Sequence, residues 1–215
     1  LMSLGLYDKG ADDFEEALKI SKDEKPGFYV AASVAQLFLL KDAAAREYVT
    51  KALALAPHDR AAQELNLMIA YQSGDFKTAK TILESNFANE APDGAYGHMP
   101  LLKYLIARQN GEEAGAEAEL KQQMETADQD SWVYPVMKVL LSKGDVGKTV
   151  SQTNMGKATL AQLGKLYFYA AEKARLEGQT GNANLYYRLL INMSGGIFYE
   201  QASAICQLAR VDKKK

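Results

Sequence analysis

Cysteine and histidine are scarce in this sequence, which has one cysteine and two histidines among 215 residues. A lone cysteine cannot form an internal disulfide, and Cys206 lies on an apolar helical face beside Ile205 and Leu208, where we expect it to be buried. The histidines, His58 and His98, lie far apart and have no cysteine or acidic residues at metal-ligand spacing. We therefore expect neither a metal site nor a cofactor.

Long hydrophobic runs and an excess of one charge are also missing. No apolar run reaches the roughly 18 residues that a membrane-spanning helix needs, so no such segment is predicted. The net charge of −2 provides no overall attraction to nucleic acid or to an anionic membrane, and we expect neither as a partner. With 47% hydrophobic and 24% charged residues, the chain belongs to the class of folded proteins with a substantial core.

One segment has nearly the spacing of a phosphate-binding loop. Residues 142–149 read Ser-Lys-Gly-Asp-Val-Gly-Lys-Thr, whereas that loop requires glycine at its first position. The loop also follows a β-strand, and the preceding residues 132–141 have the pattern of a helix. We therefore interpret Gly144 as a turn residue and Lys148 as a surface residue. The chain is predicted to be non-catalytic, with a nucleotide-binding enzyme as an alternative.

The sequence does contain a repeat built around glycine. Alanine and leucine dominate, β-branched alternation is absent, and apolar residues recur at helical spacing, which predicts an all-α fold. A glycine recurs roughly once every 34 residues, where its tolerance of the left-handed conformation can end the first helix of a pair. The recurring glycines are Gly5, Gly74, Gly111, Gly144 and Gly178, and Leu40 stands at the equivalent place in the second unit.

A small residue follows each turn by five positions, where the second helix of a pair would cross the first. Its size lets the two helix backbones approach closely. These residues are Ala45, Ala79, Ala116, Thr149 and Ala183. The repeat predicts units over about residues 1–25 (second half only), 26–59, 60–96, 97–129, 130–156 and 157–195, with a short second helix in the fifth unit and a capping helix at 198–211.

The chain resembles the tetratricopeptide repeat family over nearly its whole length, most closely at residues 74–79 and 45–57. Residues 166–200 are similar to the C-terminal repeats of bacterial tetratricopeptide lipoproteins of the NlpI group. The resemblance implies a single domain: a right-handed α-α superhelix of about five to six hairpins with a capping helix. It also favours a bacterial envelope location over a cytoplasmic one. Because the chain opens inside a repeat, we expect further sequence, with a signal or lipid anchor, upstream of Leu1.

The same resemblance implies a scaffold or adaptor that binds a peptide or protein segment in a concave groove. The first helices line the inside of such a stack, and their inner positions carry aromatic and cationic side chains of the kind that dominate interfaces. Three cations, Arg108, Lys138 and Arg175, are suited to an acidic group. The predicted binding residues are Glu64, Met68, Tyr71, His98, Leu101, Arg108, Tyr134, Lys138, Phe168, Glu172 and Arg175.

An alternative is a structural role through self-association. The inner face of the second unit is apolar, and two copies of the chain could pair through it as a homodimer that serves as an assembly spacer. The residues of that face are Gly27, Val30, Val34, Leu37 and Phe38.

Overall fold

The computed structural model of the chain describes residues 7–20, 25–92, 94–154, 158–193 and 198–212. Over these ranges the chain forms twelve α-helices and no β-strand, which confirms the predicted all-α class. Gly5 lies outside the described residues. The helices are α1 (Tyr7–Ile20), α2 (Pro26–Phe38), α3 (Asp42–Leu55), α4 (Arg60–Ser73), α5 (Phe76–Asn86), α6 (Met99–Gln109), α7 (Glu113–Thr126), α8 (Val133–Leu141), α9 (Val146–Ser151), α10 (Leu160–Leu176), α11 (Thr180–Ile191) and α12 (Phe198–Asp212).

A left-handed residue lies at every described turn that the repeat predicted. The backbone angle φ is 58° at Leu40, 83° at Gly74, 80° at Gly111, 92° at Gly144 and 73° at Gly178. Leu40 is the only non-glycine residue with positive φ among the described residues. The equivalence of this leucine to the turn glycines is thereby confirmed.

The turns satisfy carbonyl groups that a helix end leaves without partners. At Gly74 the N–H donates to the Tyr71 carbonyl at 3.1 Å, and the next N–H, of Asp75, donates to the Ala70 carbonyl at 3.0 Å. This pair of bonds is the Schellman arrangement, and it recurs at Leu40, Gly111 and Gly178. The turn at Gly144 differs, because α8 ends at Leu141 and the next residue is extended.

Small side chains occupy the helix crossings, as the sequence predicted. Ala45, Ala79, Ala116 and Ala183 are buried, and Thr149 is half-buried. Within the pairs, α2 packs on α3, α6 on α7 and α10 on α11. A larger side chain at these positions would separate the paired backbones.

The chain forms two compact units. The first comprises the described parts of Leu1–Ile82 and Ile205–Lys215, and its core includes Leu37, Leu65 and Tyr71. Within it, the Arg210 guanidinium donates to the carbonyl of Gln72, in the last turn of α4, at 2.7 Å. The second unit is Leu83–Ala204. None of the described helices has the length and apolar character needed to cross a membrane.

A buried lysine ties the end of α8 to α10 in the second unit. The Lys173 ammonium, almost fully buried, donates to the carbonyls of Leu140 at 2.7 Å and Ser142 at 2.6 Å, and pairs with the Glu177 carboxylate at 2.9 Å. The Tyr104 hydroxyl on α6 also donates to the Leu140 carbonyl, at 3.1 Å. These donors satisfy the free carbonyls at the helix end, where a cation also complements the helix dipole.

Replacing Leu40 by glycine is expected to stabilise the protein. The leucine has a left-handed backbone, which costs about 1–2 kcal/mol, and its side chain is 44% exposed, so little packing is lost with it. Allowing for the greater chain entropy of glycine, we expect Leu40→Gly to raise the free energy of unfolding by about 0.5–1 kcal/mol in urea denaturation. The converse Gly111→Ala should lower it by about 1 kcal/mol through backbone strain alone, because an added Cβ meets no atom within 4 Å. A destabilised Leu40→Gly variant would contradict this account.

Removing the Lys173 ammonium is expected to destabilise the second unit. Lys173→Met keeps the apolar stem but leaves the Ser142 carbonyl without its buried donor, which should cost about 1–3 kcal/mol in chemical denaturation. Lys148→Met, an exposed lysine on α9, is the matched control and should change stability by less than about 0.5 kcal/mol. Equal stabilities of the two variants would show that the buried hydrogen bonds contribute nothing.

Candidate functional site

More than half of the side chains predicted to line a binding face are buried in the structure. Helix-to-helix contacts cover them: in the first unit α4 packs on α2 and α3, and in the second unit α6, α8 and α10 pack on one another. One such contact is the Tyr169 hydroxyl on α10, which donates to the His98 carbonyl at the start of α6 at 3.1 Å. The buried residues of the predicted set are Met68, Tyr71, His98, Leu101, Phe168 and Glu172.

Glu172 is a buried carboxylate that the fold satisfies internally. It accepts a hydrogen bond from the Tyr187 hydroxyl at 2.6 Å and pairs with the Arg175 guanidinium at 2.7 Å. Burial and the neighbouring Glu172 charge raise the pKa of Tyr187 well above its ordinary value. These groups join α10 to α11, so both Glu172 and Arg175 have structural partners in the positions predicted for ligand contact.

The remaining predicted cations divide into paired and unpaired groups. Arg108 forms an ion pair with Glu113 at 2.7 Å, and its side chain is only 11% exposed. Lys138 is exposed and forms no ion pair among the described residues; its ammonium lies 4.6 Å from the centre of the Tyr134 ring. Glu64, on α4, is half-buried. Lys138 is thus the cation of the predicted set that keeps its charge available to a ligand.

An open cleft of about 780 Å³ brings together two of the predicted residues, Tyr134 and Lys138. It lies wholly within the second unit, between the start of α8 and the start of α10. Helix α8 places Tyr134 and Lys138 on one side, since residues four apart share a helix face. The cleft is lined by Gln129, Asp130, Ser131, Trp132, Tyr134, Pro135, Lys138, Asn154, Ala158 and Gln162.

Trp132 is the main lining residue that the sequence reasoning did not identify. It is the only tryptophan in the chain and lies immediately before α8. The Lys165 ammonium lies 5.7 Å from the centre of its ring and pairs with Glu200 at 3.2 Å. A single half-buried tryptophan at the start of a first helix was a usable signal, because tryptophan is enriched at interfaces.

Several polar groups in the cleft have no hydrogen-bond partner in the part of the chain that the structure describes. These are the Trp132 indole N–H, the Tyr134 hydroxyl, the Lys138 ammonium and the Asp130 carboxylate. Gln162 differs, since its side-chain oxygen accepts the Thr159 N–H at 2.8 Å in the capping box of α10. The cleft therefore presents three donors and one acidic acceptor beside two aromatic rings.

The segment that resembles a phosphate loop has structural partners instead. Helix α8 precedes it, as predicted, and the Asp145 carboxylate accepts the Lys148 N–H at 2.7 Å, capping α9. Gly147 packs against α11, where an added Cβ would lie 2.9 Å from the Asn182 side-chain oxygen. The Val146 N–H donates to the Gln179 side chain at 3.0 Å. Packing against α11 thus accounts for the glycine, and Gln179 and Asp145 each accept one of the backbone N–H groups.

The apolar face proposed for self-association is largely enclosed by its own unit. Val34, Leu37 and Phe38 are buried, Val30 is half-buried and Gly27 is exposed.

Among the described residues, no group of three or more histidine, cysteine or acidic side chains is placed to hold a metal ion.

No model of a known protein family matches this chain, and no curated protein matches it.

Ionisation of Tyr187 is expected to lower the free energy of unfolding at alkaline pH. Its pKa is higher in the folded protein than in the unfolded chain, so above about pH 10 the unfolded chain loses the proton first and stability falls as pH rises. One such tyrosine contributes up to about 1.4 kcal/mol per pH unit. Tyr187→Phe should make the decline between pH 10 and 11 shallower by up to that amount, measured by urea denaturation.

The control for that measurement is a variant with lower stability and unchanged ionisable groups. Leu190→Ala removes a fully buried apolar side chain three residues after Tyr187 on α11. Its unfolding free energy should fall with pH between 10 and 11 as steeply as that of the wild type. A Tyr187→Phe slope equal to that of Leu190→Ala would contradict the assignment.

Proposed function

We propose that this chain is a non-catalytic tetratricopeptide-type repeat protein, with hairpins stacked as an α-α superhelix, that binds an extended peptide or protein segment. The repeat assignment is supported by the left-handed residue at Leu40, Gly74, Gly111, Gly144 and Gly178, and by the small residue five positions later. A repeat of this kind provides rigid first helices whose exposed side chains can bind a partner.

The observation that carries the proposal is the cleft beside α8. Trp132 and Tyr134 are half-buried rings whose polar atoms have no hydrogen-bond partner among the described residues, and Lys138 is an exposed cation without an ion pair there. Tryptophan and tyrosine supply most of the binding energy in many interfaces because they combine apolar area with a hydrogen-bonding group. An extended segment matches these groups, since its backbone carbonyls can accept from the indole N–H and the phenol while its side chains cover the rings.

The proposed binding site is narrower than the face that the sequence predicted. It retains Tyr134 and Lys138 and adds Trp132. Predicted residues that are buried, such as Phe168 and Leu101, belong to the helix packing and not to the proposed site. The rigid packing of α8 on α10 holds the cleft residues before a ligand arrives, which reduces the entropy cost of binding.

Peptide selection tests this proposal directly. Random peptides displayed on phage would be selected on the immobilised chain, and the affinity of synthetic copies would be measured by calorimetry. Trp132, as the only tryptophan, gives an independent fluorescence signal from inside the cleft. Tyr134→Ala and Lys138→Ala should each weaken binding about fivefold or more, as expected for central interface residues.

Lys148→Ala is the matched control, because it removes an exposed lysine on α9 that does not line the cleft. It should bind the selected peptides as the wild type does. Peptides that bind all four proteins equally, without changing the Trp132 fluorescence, would contradict a site in this cleft. Melting temperatures of the variants confirm that each is folded.

A further inference from the structure

We infer that the end of α12, residues 205–210, is a detachable strap on the first unit, held by Arg210 against the last turn of α4. The strap opens by unwinding while the rest of the chain stays folded, and it controls access to the thiol of Cys206. The proposed peptide cleft lies in the second unit, so neither proposal depends on the other.

The latch of the strap is a hydrogen bond at the C-terminal end of α4. The turn after that helix donates its two N–H groups to the carbonyls of Ala70 and Tyr71. The next carbonyl, of Gln72, accepts the Arg210 guanidinium at 2.7 Å, although the two residues are 138 positions apart in sequence. A cation at a helix C-terminus also complements the helix dipole. Arg210 therefore supplies a donor that the turn does not provide.

Burial falls along α12 from its start to its end. Residues 201–204 are buried, and so is Cys206 at the beginning of the strap. Ile205 and Leu208 are only half-buried, and Arg210 is exposed. Because the free energy that holds a segment increases with the apolar area it removes from water, the strap is the more weakly held part of the helix.

The start of α12 has contacts that remain when the strap opens. The Gln201 side-chain amide donates to the carbonyls of Leu190 at 3.1 Å and Met193 at 2.7 Å. Glu200 pairs with Lys165 on α10 at 3.2 Å. All of these residues belong to the second unit, so unwinding of the strap leaves them in place.

The latch itself lies at the surface, which makes opening accessible. Water competes for an exposed guanidinium, and salt screens its attraction to the helix end. A helix end with few buried apolar contacts opens at a free energy well below that of global unfolding. Opening exposes the Gln72 carbonyl and the Cys206 thiol together, so the only cysteine of the chain becomes reactive in the open state.

Alkylation of Cys206 in the intact chain measures the opening. The protein would be treated with iodoacetamide at constant pH, because the thiolate is the reactive form, and the modified fraction would be followed by mass spectrometry. We expect Arg210→Ala to raise the alkylation rate about threefold to tenfold, since the latch is lost. Arg210→Lys keeps a cationic donor and should give a rate between those of Arg210→Ala and the wild type.

Arg188→Ala is the matched control, because it removes an exposed arginine on α11. It should change the alkylation rate by less than about twofold. An Arg210→Ala rate equal to that of Arg188→Ala would overturn the assignment of Arg210 as the latch.

Urea distinguishes opening of the strap from unfolding of the whole chain. Local opening exposes little surface, so the alkylation rate of the wild type should change little at urea concentrations below the unfolding transition. The urea midpoint of each variant shows whether a faster rate comes from global destabilisation. A wild-type rate that rises with urea as steeply as the unfolded population would overturn the strap.

Discussion

The close approach of paired helices, made possible by a left-handed residue at each turn, is the constraint on which the rest of this structure depends. The turn reverses the chain within a few residues and brings a small side chain, such as Ala45 or Ala183, against the preceding helix. Only then can the apolar faces of the two helices exclude water along their length. The same device works at Leu40, where the fold imposes on a leucine the backbone conformation that glycine adopts elsewhere.

Packing between first helices has a second consequence, because it occupies surface that the repeat pattern alone assigns to a ligand. In the second unit α6, α8 and α10 contact one another, and aromatic side chains such as Phe168 fill the space between helices. Charged residues there have internal partners, as Glu172 accepts a hydrogen bond from Tyr187 and pairs with Arg175. A buried charge is tolerated only with such partners, so these residues serve the stability of the helix packing.

The cleft beside α8 differs, because its polar groups lack such partners among the described residues. Trp132, Tyr134, Lys138 and Asp130 have polar atoms that no described neighbour satisfies. Tyr134 and Lys138 lie on α8, whose C-terminal end is joined to α10 by Lys173 and to α6 by Tyr104. A binding function is proposed from this contrast between paired and unpaired groups within one unit.

The sequence by itself determined the helical class, the turn positions and the crossing residues, because these depend on local backbone preference and on side-chain size at a fixed spacing. It also predicted Tyr134 and Lys138 as binding residues from their periodicity on a helix, and both line the cleft. It could not separate Lys138 from Arg108 or Arg175, since all three are cations at inner-face positions and differ only in their neighbours. Glu113 and Glu172 provide those neighbours for the two arginines. Tertiary structure decided which charges are paired and which rings are covered, because electrostatic pairing and burial depend on distances between residues remote in sequence.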